Sequence, residues 1–138
     1  MAWQSSNGWF NGIGYVLNEN DPFTGIDLDT DEEKQGFQCM HDGGMLGELT
    51  NEAKAIIELL DSYSEYSQSG TGVHILVKAN LPENGKRKGN VEMYSHGRFF
   101  VVTGDHLANT PLTIENRQEQ VDKLYSRFVG KPKAIDTN

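Results

Sequence analysis

The stretch Thr24-Gly25-Ile26-Asp27-Leu28-Asp29 constrains this chain more than any other. Side chains of an extended strand point alternately to its two faces, so Ile26 and Leu28 share one face while Asp27 and Asp29 share the other. The chain is thereby directed toward a sheet with one face against an apolar core and the opposite face presenting two neighbouring carboxylates. Such a pair is a ready-made site for a divalent cation, whose hard charge prefers oxygen ligands.

Gly12 to Leu17 reads as a strand ahead of this one, and the intervening Asn18-Glu19-Asn20-Asp21-Pro22 turn predicts that the two form a hairpin. Residues 73–79 alternate, with Val73, Ile75 and Val77 on one face and His74, Leu76 and Lys78 on the other. Val91 to Ser95 and Arg98 to Thr103 read as a strand pair about a His96-Gly97 turn, and Asn80 to Asn90 as a polar loop. Thr50 or Asn51 caps a helix whose Ala53, Ile56, Ile57 and Leu60 recur at helical spacing. Thr113, after Pro111, opens a second helix with Ile114, Val121, Leu124, Tyr125 and Phe128 as its apolar stripe, and Gly130 and Pro132 end it. These elements define an α+β class, a mostly antiparallel sheet with helices packed on one face. The length suits one domain over residues 1–130, with 131–138 as a tail or linker.

The 138 residues carry a formal charge of −8, which argues against a generic nucleic-acid binder. The charge is unevenly spread: residues 1–61 hold 12 acids and 2 bases, residues 62–138 hold 8 acids and 10 bases. An acidic half suits metal ions; the half with Lys78, Lys86, Arg87, Lys88 and Arg98 suits phosphates. The single Cys39 excludes an internal disulfide, and His41-Asp42 beside it lacks the spacing of a zinc site. Without a run of about 20 apolar residues or a signal-like start, the sequence is read as soluble and cytoplasmic.

Transfer of a nucleotide to a hydroxyl uses two divalent ions, one at the attacking oxygen and one at the triphosphate. Asp27 and Asp29 supply two carboxylates, and Glu92, centred in Val91-Glu92-Met93, supplies a third from another strand. Ser69-Gly70-Thr71-Gly72 leads straight into the strand of His74, where glycines let successive N–H groups form an anion nest and the imidazole donates to a phosphate oxygen. Each part has a plainer reading: an exposed acid pair, a simple turn, a packing histidine. Lys86-Arg87-Lys88 is either a tracker of a phosphate backbone or a solvated turn. Trp3, Trp9 and Phe10 read as anchors of the chain start rather than base-stacking residues.

Taken in order, Phe10 to Leu17, Phe23 to Asp29, Ser62 to His74 and Gly89 to Gly104 resemble the entry strand and three motifs of the archaeo-eukaryotic primase superfamily. The closest likeness is to the bifunctional DNA primase/polymerase (prim-pol) domain of phages, plasmids and mobile elements, and it runs from about Trp9 to Tyr125. The resemblance implies an RRM-like catalytic sheet with Mg²⁺ or Mn²⁺ on Asp27, Asp29 and Glu92. It implies a nucleoside triphosphate substrate with its phosphates at Ser69 and His74, and Arg98 there or at the template. Single-stranded DNA template and primer, and a replicative helicase, are the implied partners. Family members usually carry a basic segment upstream and priming or helicase regions downstream, so the expectation is a catalytic core alone. Two rival functions share these residues: a two-metal nuclease, which has no use for a triphosphate nest, and a non-catalytic RRM-like nucleic-acid-binding module.

Overall fold

The protein is described by a computed structural model over residues 13–29, 49–68, 71–82 and 85–129. Along these run β1 (Ile13–Leu17), β2 (Phe23–Asp29), α1 (Asn51–Leu60), β3 (Ser64–Tyr66), β4 (Gly72–Lys78), β5 (Gly85–Lys88), β6 (Val91–Tyr94), β7 (Arg98–Val102), β8 (Glu115–Asn116) and α2 (Gln118–Val129). The main sheet has the order β3-β4-β2-β6-β5, antiparallel at every step, and β8 pairs in parallel with the end of β4. β1 and β7 form a separate two-stranded antiparallel ribbon. The architecture is α+β, as the periodicities predict.

The two expected hairpins do not form. A strand has two edges, and both edges of β2 are taken, by β4 and by β6. β1 therefore cannot join β2, although the Asn18–Asp21 turn is as tight as expected, with Asp21 N–H donating to Asn18 O at 3.1 Å and Asn18 N–H to an Asp21 carboxylate oxygen at 3.1 Å. The same rule separates β6 from β7: β6 is filled by β2 and β5, so the chain turns at Gly97 (φ 72°) and β7 pairs with β1.

Two further expectations change. Residues 85–88 belong to an edge strand rather than the polar loop, and edge strands commonly carry charges that discourage further pairing. The second helix begins at Gln118, not Thr113. Glu115 and Asn116 instead extend the sheet against Val77 and Lys78, and Glu115 N–H donates to Ser62 Oγ at 2.8 Å. The tail 131–138, Cys39, His41, Asp42, Trp3, Trp9 and Phe10 lie outside the described residues.

The first helix forms as its cap predicts, with Ala53 N–H donating to Thr50 Oγ1 at 3.0 Å. Its buried Ala53, Ile56 and Leu60 join Val121, Leu124 and Tyr125 of α2 over one face of the sheet, made by Ile26, Leu28, Val73, Ile75, Val77, Val91 and Met93. Burying those side chains supplies the main favourable term, on the order of 1.5–3 kcal/mol per large apolar residue before chain entropy is counted. On the opposite face a smaller cluster of Leu17, Leu76 and Phe100 joins the β1–β7 ribbon to the sheet. Gly25 makes that docking possible: a Cβ there would lie 2.9 Å from Phe100 Cζ. No helix among the described residues is long and apolar enough to cross a membrane.

Candidate active site

Strand register brings five side chains from five strands into one line on the ribbon-covered face. Glu65 of β3 stands opposite His74 of β4, His74 opposite Asp27 of β2, Asp27 opposite Glu92 of β6, and Glu92 opposite Arg87 of β5. Directly opposed residues share a face at close range, so this row is a consequence of pairing rather than of any one segment. Asp29, two residues beyond Asp27, lies on the same face.

A cavity of about 570 Å³ opens over the row, lined by Asp27, Asp29, Ser67, Gln68, His74, Arg98 and residues 99–101 of the ribbon. Asp27, Asp29, His74 and Arg98 were all singled out by the sequence. Gly72 sits beside them at the start of β4, where a side chain has no room: its Cβ would lie 2.6 Å from Leu28 O and 3.2 Å from Asp29 Oδ1. Thr71 precedes it, while Ser69 and Gly70 lie outside the described residues. Ser67 N–H donates to Gly72 O at 2.9 Å, closing the turn in which the anion nest was expected.

Asp27 shows the electrostatic character of the site. Burial raises its pKa to about 6, and the nearby charges of Asp29 and Glu92 act in the same direction, with His74 and Arg98 offsetting part of the rise. His74 Nε2 lies 3.8 Å from Asp27 Oδ1. Among the described residues no three His, Cys, Asp or Glu side chains converge as a preformed cage. The donors are nevertheless hard oxygens in a half-buried, negatively biased spot, and a divalent cation at Asp27 and Asp29 would supply the positive charge that ionised Asp27 lacks. The residues fit such an ion.

Glu92 stands in the row but its oxygens are engaged elsewhere. Tyr94 donates to Oε1 at 2.6 Å, Arg98 reaches Oε1 at 3.3 Å and Arg87 reaches Oε2 at 3.2 Å. The Arg98 guanidinium also lies over the Tyr94 ring at 4.1 Å. The third expected carboxylate is thus on the right face, paired there with two arginines.

The basic trio divides. Arg87 faces the row, whereas Lys88 donates from Nζ to the carbonyl of Arg127 near the C-terminal end of α2 at 3.1 Å. Lys86, Arg87 and Arg98 meet Tyr94 and His96 in a second, smaller cleft of about 290 Å³.

Sequence reasoning missed Glu65, which is fully buried. A signal was available: Glu65 is the one charged residue between Asp61 and His74. Its carboxylate accepts from Tyr63 Oη at 2.8 Å, Thr103 N–H at 2.8 Å and Gly104 N–H at 3.0 Å. Burial alone would raise its pKa, but the His74 ring beside it and hydrogen bonds from Thr103, Gly104 and Tyr63 outweigh it and hold the group below the usual carboxylate range.

Fold and site together define an α+β domain whose sheet presents an acidic, cation-suited row beneath a cavity, flanked by histidine and arginine. The chain is similar to the DNA primase-polymerase of Nitratiruptor phage NrS-1, with 35% identity over 103 residues that span 69% of this chain and 13% of that protein. No family model matches the chain.

Proposed function

We propose that this chain is a catalytic core for template-directed addition of nucleotides to a primer 3′ hydroxyl, dependent on Mg²⁺ or Mn²⁺. One observation carries the reading: Asp27 stands between His74 and Glu92 in the strand register, with Asp29 beside it, under a cavity large enough for a nucleotide. The name of the phage relative supports it. The reading implies the RRM-like sheet of the archaeo-eukaryotic primases, a single-stranded DNA template and, in a larger assembly, a helicase.

In this reading Asp27 and Asp29 hold the divalent ions, and Glu92 serves as the third carboxylate. Divalent ions held by these carboxylates would supply activation of the primer hydroxyl and charge balance for the triphosphate. His74 Nε2 faces the incoming phosphates, and Arg98 neutralises charge at the same end of the cavity. Phe100, packed on the His74 ring with centroids 4.6 Å apart, keeps the imidazole plane fixed and shields one side from water. The ribbon therefore acts as a wall, limiting how a substrate enters.

Primer extension on a defined single-stranded template tests this, with Mn²⁺ or Mg²⁺, with and without nucleoside triphosphates. Metal-dependent extension is expected from the wild type, with loss of it from Glu92→Gln and from Asp29→Asn, the latter with its melting temperature retained. Nucleotide-independent shortening of the DNA would identify a nuclease instead; wild-type extension by Asp29→Asn would remove the metal assignment.

A further inference from the structure

We propose that Glu65 is a positioning residue that holds His74 in one tautomer, with Nδ1–H toward Glu65 and Nε2 toward the cavity. The proposal deepens the reading above and rests on it for the role of Nε2, but the tautomer itself is independent of any activity.

Glu65 is a complete anchor. Its side chain is fully buried, and three donors fix it: Gly104 N–H and Tyr63 Oη on Oε1, and Thr103 N–H on Oε2. Two of these are backbone amides, which only donate, so the group facing them must accept on both oxygens. Oε2 also faces His74 Nδ1 at 3.5 Å, across the Glu65–His74 register pair of β3 and β4. That distance is at the outer edge of a hydrogen bond, and Nδ1 is a buried side-chain nitrogen without a better partner among the described residues.

The protonation pattern follows from the chemistry of the two atoms. An unprotonated Nδ1 would point its lone pair at a carboxylate that has no proton to offer, leaving a buried nitrogen unsatisfied. A protonated Nδ1 gives Oε2 a donor and satisfies both. Neutral His74 then presents Nε2 as an acceptor, and in the imidazolium both nitrogens donate, Nδ1–H to Glu65 and Nε2–H to a phosphate oxygen. The carboxylate behind the ring does what carboxylates do behind metal-bound histidines: it selects which nitrogen faces the ligand. Phe100 fixes the ring plane and Glu65 its polarity.

The test reads the ring nitrogens of the full chain labelled with ¹⁵N-histidine, in long-range ¹H–¹⁵N spectra recorded without metal at a pH where the ring is neutral. His74 is assigned by its loss in His74→Ala. The wild type should show the Nδ1–H form, and so should Tyr63→Phe, which leaves Oε2 and its contact intact. Glu65→Gln should shift the population toward Nε2–H, and whatever change it makes in the nucleotide KM should vanish when it is added to His74→Ala. Should Glu65→Gln fail to fold, Glu65→Asp draws the carboxylate back from Nδ1 and carries the same comparison. An Nε2–H wild type would overturn the proposal, as would multiplying effects of Glu65→Gln and His74→Ala on KM. A protein without polymerase activity but with an Nδ1–H His74 lost in Glu65→Gln would sink the functional reading and leave the positioning role standing.

Discussion

Replacing Asp27 by Asn should make the metal-free protein more stable at neutral pH while abolishing nucleotide incorporation. In the unfolded chain this carboxyl ionises near 3.8, whereas in the folded protein burial lifts it to about 6. Between those values the folded state binds the extra proton, so stability falls as pH rises through that window and stays lowered above it. Two pKa units correspond to about 3 kcal/mol at 1.36 kcal/mol per unit. The side chain retains 22% exposure, and Asn still needs hydrogen bonds, so a gain of roughly 1–3 kcal/mol is expected. For a domain of this size that is roughly 4–10 °C in melting temperature. Melts in EDTA at pH 4, 5, 6 and 7.5 should show the two proteins nearly equal at pH 4 and diverging up to about pH 6. Adding Mn²⁺ at about 100 times its dissociation constant should stabilise the wild type by about 2.7 kcal/mol and the variant little. A gap that does not change with pH, or an Asn variant less stable at pH 7.5, would refute the electrostatic account of this site.

Gly72→Ala should destabilise the fold by roughly 1–3 kcal/mol, because the new methyl meets the Leu28 carbonyl rather than a movable side chain; a urea midpoint equal to the wild type would show that the strands part more easily than their packing implies. His74→Ala should raise the nucleotide KM roughly tenfold while leaving single-stranded DNA affinity alone, and equal losses in both would make it a general structural residue. Arg87→Ala should reduce the slope of log affinity for single-stranded DNA against log salt by about 1, whereas Lys88→Ala should leave it unchanged because that ammonium is directed to the end of α2. Identical slopes in the two variants would remove the division between them.

Much of this was legible in the residues because periodicity survives folding. The alternation over Val73 to Lys78 places His74 on the face it occupies, and the acid spacing at Asp27 and Asp29 gives their shared side. Pairing was not legible. Sequence neighbours suggest hairpins, but β2 spends both edges on strands distant in the chain, and β6 spends its two on β2 and on the preceding β5, a choice made by the apolar face they complete together. β3 escaped notice because three residues are too few to show a period, and Glu65 with it. β5 escaped because Lys86, Arg87 and Lys88 have no apolar alternation to reveal a strand. The engagement of Glu92 by Arg87 and Arg98 follows from that unseen pairing.

The row from Glu65 to Arg87 also bears on how the chain folds. Its members come from five strands, and the central pairings join β2 to segments on the far side of α1. Closing loops of that length costs entropy before any contact rewards it, so high contact order predicts that the sheet nucleates slowly relative to the local helix α1. No fragment ending before β6 contains the full set of acids, and a chain still emerging during synthesis holds Asp27 without its neighbour from Glu92. Pairing of β6 between β2 and β5 thus completes the acidic row, and ion-dependent protection of amides in β2, followed in time during refolding, would report when β6 has arrived.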